Sequence, residues 1–173
     1  GHLPAPRISL VTVILPDHQN RYPDMSSYVA DKRILFESQS SDQHALFNSA
    51  DPYQARWPAR TRAAARWFSP SPLPPARPGA WLRGDAAVIR EGSRRLDLSL
   101  GASRLPGAHN RLNLLAAALA CHVFGLSAGE IGARLGTFPG VEHRLELVTE
   151  LRGVRFYNDS AATIPEATAA ALA

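Results

Sequence analysis

The sequence predicts an α/β protein with a mainly parallel sheet flanked by helices and a small antiparallel sheet. The first observation is the apolar, β-branched run at residues 8–15, which is typical of a buried parallel strand. The second is an amphipathic helical pattern over residues 27–39, followed by a short strand at 45–48. The third is a set of alternating runs between residues 80 and 98 and between 145 and 157, which indicate antiparallel hairpins.

The composition is that of a globular protein. Hydrophobic residues make up 45% of the chain, and we find no run long enough to span a bilayer and no signal peptide, which favours a cytoplasmic protein without a membrane segment. The formal charge is +4, but the arginines are scattered singly, so we expect no nucleic-acid partner. The single cysteine, Cys121, cannot form an internal disulfide.

The loop after the first strand carries a histidine at a favourable place. Residues 16–22 follow the strand directly, and the ends of parallel strands are where α/β proteins place their chemistry. This position favours His18 as a residue of the crevice outside the sheet. Taken by itself, however, a lone histidine in a loop is more often solvated than a ligand.

The basic residues comprise 18 arginines and one lysine, Lys32. Because arginine supplies plain positive charge everywhere else, the single lysine indicates a requirement that arginine cannot fulfil. The helix over residues 27–39, for which Ser26 is the predicted N-cap, puts Lys32 on one core-facing side with Tyr28, Leu35 and Phe36. One interpretation is a buried aliphatic stem with its ammonium in water, and the other is a chemical role for the amine.

The middle of the chain predicts a turn, a helix, a strand and a meander. An Asx-containing turn at 48–52 ends the strand before it, and a helix disturbed by Pro58 is predicted over 53–65. A strand at 65–69 leads into residues 70–78, where five of the nine residues are proline, so we expect a surface loop. A β-meander follows, with strands at 80–83, 86–90 and 95–98.

The last third predicts helices around a hairpin. A long apolar helix reaches about Gly125, and Ser127 with Glu130 forms a capping box for a helix to about Leu135. Residues 136–140 then form a hinge. The remaining elements are a hairpin of 145–151 and 154–157 turning at Arg152 and Gly153, a polar turn at 158–160, and a helix that starts near Pro165.

Several motifs resemble the Mur ligase family. They are G-x-x-H-R-x-E at 140–146, G-V-R-F-Y-N-D-S-x-A-T at 153–163, L-P-G-x-H-N-x-x-N at 105–113, and the loop and helix PDHQNRY…SYVADKRILF at 16–36. The resemblance covers nearly the whole chain and is strongest to members that add D-glutamate to UDP-N-acetylmuramoyl-L-alanine, the peptidoglycan precursor. It implies part of a P-loop NTPase-like central ATP-binding domain over 1–138 and the start of a Rossmann-like, glutamate-binding C-terminal domain over 139–173.

The resemblance implies a catalytic and metal-binding role for Lys32 and His18. In the family, the matching lysine is carbamylated by carbon dioxide and, with the histidine as an imidazole ligand, it positions Mg²⁺ against the substrate carboxylate and ATP. The electrostatics require the modification: at about 4 Å and an effective dielectric near 20, an ammonium repels a divalent cation by roughly 8 kcal/mol, whereas a carbamate attracts it. Arginine cannot make this change of sign.

The resemblance also implies four residues that bind ATP. Asn110 and Asn113 resemble the asparagines that contact adenine, since a carboxamide can donate to N7 and accept from the N6 amine. Arg144 resembles the arginine that reaches the phosphate or ribose, and Asp159 the acid that binds ribose. Read without the family, the asparagines are typical of a helix start, Arg144 is a surface charge and Asp159 is a turn former.

The chain departs from the family pattern in a few places. No G-x-x-x-x-G-K-[ST] loop occurs, so we expect a fragment that lacks the phosphate cradle and is inactive alone. Residues 13–15, VIL, stand where the family has Asn-x-Thr, Asn20 replaces the Asp of H-x-D-R, and Ala161 replaces the Lys of N-D-S-K-A-T. These changes put substrate contacts near Ala161 in question.

The expected function is that of an ATP-dependent carboxylate–amine ligase, monomeric in its full-length form. ATP phosphorylates the carboxylate of the UDP-linked substrate, and the glutamate amine then attacks the acyl phosphate. One alternative is another Mur-type or folylpolyglutamate ligase. A second is a catalytically silent Mur-like scaffold, motivated by Ala161 and by residues 13–15.

Overall fold

The computed structural model describes residues 5–17, 20–101 and 105–172. The strands are β1 (Ile8–Leu10), β2 (His44–Asn48), β3 (Ala64–Ser69), β4 (Gly79–Arg83), β5 (Ala86–Glu91), β6 (Arg94–Ser99), β7 (Glu146–Leu151) and β8 (Val154–Asn158). The α-helices are α1 (Met25–Glu37), α2 (Ala108–Phe124), α3 (Ala128–Thr137) and α4 (Pro165–Leu172), and Gln54–Arg60 form a 3₁₀ helix. In these ranges no helix has both the length and the apolar character needed to cross a bilayer.

The main sheet has six strands in the order of the chain. β1 to β4 are mutually parallel, whereas β5 is antiparallel to β4 and β6 is antiparallel to β5. Two reversals bring β6 back to the direction of β1–β4, so all five of these strands end at the same edge, here called the carboxyl edge. β7 and β8 form a separate two-stranded antiparallel sheet. The predicted α/β class is therefore confirmed.

Alternate side chains of the strands pack on the two faces of the sheet. On one face, α2 and α3 cover a core that includes Leu46, Phe68 and Ile89. On the other face, α1 and the 3₁₀ helix cover Phe47 and its neighbours. The proline-rich residues 70–78 form the predicted loop on this second face, where Leu73 is buried against Trp81 and Val88.

The strand predicted over residues 8–15 is shorter than expected, because β1 has only three residues. Beyond it, the carbonyl oxygens of Val11 and Thr12 accept hydrogen bonds from the side chains of Gln54 and Asn48, not from a neighbouring strand. The apolar pattern correctly indicated burial, since Ile14 is in the core. It did not indicate which groups form hydrogen bonds with the backbone N–H and C=O groups of this segment.

The predicted N-cap of α1, Ser26, is wrong. The N-cap is Asp24, whose Oδ1 accepts a hydrogen bond of 2.7 Å from the backbone N–H of Ser27. Aspartate caps as well as serine does, and its position two residues earlier starts the helix sooner than predicted. This hydrogen bond lowers the pKa of Asp24.

The helix predicted over residues 53–65 is a 3₁₀ helix of seven residues. Pro58 lies inside it and has no N–H to donate, which opposes a longer α-helix. The turn is instead held by Trp57, which is 3% exposed and packs with its ring centroid 5.3 Å from that of Phe36 and 6.5 Å from that of Phe47.

The helices and the hairpin predicted in the last third are confirmed. α2 ends at Gly125, which has the left-handed conformation that favours glycine, and the capping box of Ser127 and Glu130 begins α3. The turn between β7 and β8 has positive φ at both Arg152 and Gly153. α4 begins at Pro165 as predicted.

The aromatic cluster under α1 contributes to the free energy of unfolding, and two substitutions on α1 can test how much. Phe36 is fully buried, with its ring centroid 4.9 Å from that of Phe47. The prediction that Leu35 also faces the core is wrong, because Leu35 is 43% exposed. We expect Phe36→Ala to lower the free energy of unfolding by about 3–5 kcal/mol because it leaves a cavity. Leu35→Ala, measured by the same urea titration, should change it by less than about 1 kcal/mol. Equal effects of the two variants would contradict this packing.

Candidate functional site

Lys32 lies on the face of α1 that packs against the aromatic side chains following β1. Its Nζ is 5.2 Å from the centroid of the Tyr28 ring, a cation–π distance, and Tyr22 packs edge-on against Tyr28 with centroids 5.1 Å apart. The side chain of Lys32 is half-buried, and Tyr28 is buried. The amine is thus held at a defined place while its surroundings remain partly open to solvent.

The loop after β1 reaches the same face of α1. Burial raises the pKa of the Tyr28 hydroxyl, and the negative charge of Asp17 raises it further. Tyr22, further along the loop, donates a hydrogen bond of 2.6 Å to Asp31 Oδ2 on α1. His18, the predicted imidazole ligand, lies outside the described residues.

The donor set for a cation depends on the chemical form of Lys32. Within residues 5–17, 20–101 and 105–172, no group of three or more His, Cys, Asp or Glu side chains could hold a metal ion. An ammonium does not fit a Mg²⁺ site, whereas a carbamate would supply the hard oxygen ligands that Mg²⁺ prefers. The residues present therefore fit this ion only if Lys32 is modified.

A network of buried polar side chains at the carboxyl edge was missed from the sequence. Asn48, Asp51 and Gln54, here called the polar clamp, are each 3% exposed or less. Asp51 Oδ2 accepts hydrogen bonds from the Ile14 N–H at 2.7 Å and from Gln54 Nε2 at 2.9 Å, and its Oδ1 accepts from the Tyr53 N–H at 2.9 Å. The turn that ends β2 carried the signal, but its polar residues were interpreted only as turn formers.

A pocket of about 280 Å³ lies between Leu105, in the segment before α2, and the loop that enters the hairpin. Leu105 forms one side, and residues 139–142 and 144–147 form the other, so the predicted Arg144 lines this pocket. Gly140 has φ of 103°, and a Cβ at that position would lie 3.0 Å from Leu105 Cδ2. Glycine therefore allows the two sides of the pocket to approach closely.

Arg144 is presented by a strained loop. The residues on either side of it, His143 and Leu145, have φ of 65° and 46°, which is unfavourable for residues with a Cβ. Two carboxylates stabilise this conformation: Glu146 Oε2 accepts from the His143 N–H at 2.9 Å, and Asp159 Oδ1 accepts from the Leu145 N–H at 3.0 Å. The loop therefore fixes the backbone from which the exposed Arg144 side chain extends.

The same contacts bring two predicted ATP-binding residues together. Arg144 and Asp159 are far apart in sequence, yet Asp159 is bonded to the residue next to Arg144. The backbone adds a second tie, because the Ala161 N–H donates to the carbonyl oxygen of His143 at 3.0 Å. Asp159 thus has a structural role in the turn, and its second oxygen is not used by that bond.

The two predicted adenine-binding asparagines lie at the start of α2. The N-cap of this helix is Gly107, so neither asparagine is the N-cap. Asn110 Nδ2 donates to the carbonyl oxygen of Pro106 at 2.7 Å, which orients the carboxamide, and Asn113 lies one turn later and is exposed. α2 begins near the carboxyl edge, where the loop after β1 also starts, because Arg111 in its first turn pairs with Asp85 in the turn that follows β4.

Comparison with known proteins places these features in one family. The model of the Mur ligase middle domain matches residues 2–121. The UDP-N-acetylmuramoylalanine--D-glutamate ligase of Symbiobacterium thermophilum is 38% identical over 169 residues, which are 97% of this chain and 37% of that protein. The protein of the same name from Solibacter usitatus is 39% identical over 165 residues, covering 95% of this chain and 36% of the relative. The chain therefore spans little more than a third of these relatives.

Solved structures share the fold. MurF from Acinetobacter baumannii superposes with a TM-score of 0.76 at 15% identity, over 95% of this chain and 36% of that one. MurF ligase from Thermotoga maritima, solved in complex with ADP, gives a TM-score of 0.67 at 15% identity, over 97% of this chain and 38% of that one. With the family model matching residues 2–121 and relatives above 30% identity along nearly all of its length, the chain belongs to the Mur ligase family.

Proposed function

We propose that this chain is part of an ATP-dependent ligase that joins D-glutamate to UDP-N-acetylmuramoyl-L-alanine in peptidoglycan synthesis. The observation that carries this proposal is the 38% identity, over 97% of the chain, to a relative named as that ligase. Its small-molecule substrates, its monomeric state and its cytoplasmic location are parts of the same proposal. The absence of a basic run with stacking aromatics supports a protein that has no nucleic-acid partner.

Two groups of residues in the proposed function bind ATP. Asn110 and Asn113 contact the adenine, with the Asn110 carboxamide oriented by its hydrogen bond to the Pro106 carbonyl. Arg144 binds the phosphate or ribose, and Asp159 offers the ribose hydroxyls the oxygen that does not accept from Leu145. The strained loop supports this assignment, because a side chain on a fixed backbone has less freedom to lose when it binds an anion.

The proposed reaction has two steps. A carboxylate oxygen of UDP-N-acetylmuramoyl-L-alanine attacks the γ-phosphorus of ATP, and the bond to ADP breaks, which gives an acyl phosphate. The amine of D-glutamate then attacks the acyl carbon, the C–O bond to phosphate breaks, and the amine loses a proton to form the amide. Lys32 as a carbamate, with His18, would hold Mg²⁺, which offsets the negative charge of the reacting groups.

We further assign residues 1–138 to the central ATP-binding domain and residues 139–173 to the start of the C-terminal domain. The exposed apolar side chains of the hairpin support a boundary here. Val148, Leu151, Val154 and Phe156 are all exposed, as expected of strands that belong to a larger sheet. The predicted hinge at 136–140 is shortened at its start, because α3 continues to Thr137.

One observation favours a second candidate, a catalytically silent Mur-like scaffold. Ala161 stands where the family motif has lysine, next to the turn that carries Asp159. If that lysine were needed for turnover, the chain would keep the fold without the activity. Another Mur-type or folylpolyglutamate ligase is the alternative that keeps both fold and chemistry.

The first test is turnover by the full-length protein that carries this sequence. We expect ADP release that requires both UDP-N-acetylmuramoyl-L-alanine and D-glutamate, because the acyl phosphate is consumed only when the amine is present. L-glutamate and other amino acids, measured in the same coupled assay, serve as controls for the identity of the ligase. Turnover only with a folate substrate would support the folylpolyglutamate alternative, and no turnover with any of these would support the scaffold.

A second test concerns the chemical form of Lys32. In the full-length protein, Lys32→Ala should lower kcat more than about 100-fold, since even the groups that orient metal ligands are worth about 10–100-fold. Short carboxylic acids in the assay should restore part of the rate, because they supply the missing anion. The control is Arg33→Ala on the same helix, which removes only the surface pair with Glu37. Full activity of Lys32→Ala without added acid would refute the carbamate role.

A third test separates Arg144 from other charges of the hairpin. We expect Arg144→Ala to lower kcat/KM for ATP about 10–100-fold, the loss of one charge-assisted hydrogen bond of about 1.5–3 kcal/mol. Arg155, exposed on β8 opposite Glu150, is the matched control, and Arg155→Ala should leave kcat/KM for ATP within about twofold. Equal losses in both variants would indicate a general effect of charge and not a nucleotide contact.

A further inference from the structure

Where the β1–β2 ladder ends, the side chains of the polar clamp make hydrogen bonds to the backbone in place of a neighbouring strand. The Gln54 carboxamide fills the gap between the two diverging segments: its Oε1 accepts from the Asn48 N–H at 2.9 Å, and its Nε2 donates to the Val11 carbonyl at 3.2 Å. Asn48 Nδ2 donates to the Thr12 carbonyl at 2.7 Å, and Asp51 accepts from the Ile14 N–H at 2.7 Å. Three side chains therefore fix the backbone of residues 11–14.

At the opposite end of the β1–β2 pair, a single side chain bonds both backbones. Gln39, 2% exposed, donates from Nε2 to the carbonyls of Pro6 at 2.9 Å and His44 at 3.0 Å. Its Oε1 is buried without a hydrogen-bond partner among the described residues. One glutamine thus suffices to bridge two diverging backbones. The second and third members of the polar clamp fix the direction in which the chain continues.

That direction leads to the candidate site. Ile14 lies in the same buried core cluster as Tyr28 of α1, and Tyr22, further along the loop, packs edge-on against Tyr28 with ring centroids 5.1 Å apart. The Tyr28 ring in turn lies under the Lys32 amine at 5.2 Å. A shift of the backbone at Ile14 would therefore disturb the packing of Tyr28, and with it the place of the Lys32 amine on α1.

We propose that Asn48, Asp51 and Gln54 are positioning residues for the Lys32 site. They hold the segment after β1 against α1, so that Ile14 supports the Tyr28 ring on which the Lys32 side chain lies. This proposal rests on the function proposed above for Lys32 as a modified, cation-holding residue. The clamp contacts neither ATP nor the reacting atoms in this account and acts through the backbone of residues 11–17.

The experiment compares two buried glutamines in the full-length protein. Gln54→Met and Gln39→Met each replace a buried carboxamide by an apolar side chain of similar length, so both should lower Tm. Only Gln54→Met should raise the Mg²⁺ concentration for half-maximal activity, by about 10–100-fold, the usual cost of losing a group that orients a metal site. Only that variant should also speed hydrogen exchange of the Ile14 amide, by at least about 10-fold, as its acceptor loosens.

Asp51→Asn is the second variant, in case Gln54→Met fails to fold. It keeps the size of the side chain and one acceptor oxygen, so its changes should have the same direction and be smaller. Equal changes of Mg²⁺ dependence in Gln54→Met and Gln39→Met would overturn the proposal, because both would then act through stability alone. Unchanged exchange of the Ile14 amide in Gln54→Met would also overturn it.

Failure of the proposed function gives a different result. If the wild-type protein releases no ADP with any amino acid, the ligase assignment fails, and the polar clamp is judged from two readouts that need no turnover. These are exchange of the Ile14 amide and the rate at which acetic anhydride acetylates Lys32, followed by peptide mass spectrometry. Both rates should change in Gln54→Met and stay at the wild-type values in Gln39→Met, and the opposite pattern would reject the clamp.

Discussion

The buried carboxylate of Asp51 is the contact on which the layout of the candidate site depends. A charge that is 3% exposed is costly unless donors surround it, and Asp51 meets this demand with two backbone N–H groups and one carboxamide. One of those donors belongs to Ile14, on the segment that leaves β1. The need to satisfy the charge therefore fixes the path of the chain toward α1.

A similar device appears in the hairpin entry. Leu145, on one side of Arg144, has an unfavourable positive φ, and its N–H donates to the carboxylate of Asp159. Strain of this kind persists only where surrounding contacts determine the conformation. In both regions a carboxylate from one segment orders the backbone of another, and a functional candidate, Lys32 or Arg144, lies beside the ordered segment. The first region lies at the carboxyl edge, and the second lies beside the segment before α2. The carboxyl ends of the strands are where α/β sheets bind their ligands.

Much of the fold could be predicted from periodicity. Alternation located the meander and the hairpin, and the capping box located α3, because these patterns are local. The strand over residues 8–15 was too long, since an apolar run reports burial and not the partner of each N–H. The family resemblance supplied the candidate residues, but spacing alone could not bring Asp159 next to Leu145. The polar clamp was missed because Asp51 and Gln54 are buried only by tertiary packing, which a turn motif does not reveal.

The central claim is that the single lysine of the chain works as an anion. Its position against Tyr28 suits a half-buried side chain in either form, so the chemical species must be observed directly. The most direct measurement is ¹³C NMR of the full-length protein in ¹³C-bicarbonate, with Lys32→Arg as the reference. The account predicts a carbamate signal that is absent from the reference and that broadens when Mn²⁺ replaces Mg²⁺. An active wild-type protein that gives no such signal under saturating bicarbonate would contradict it.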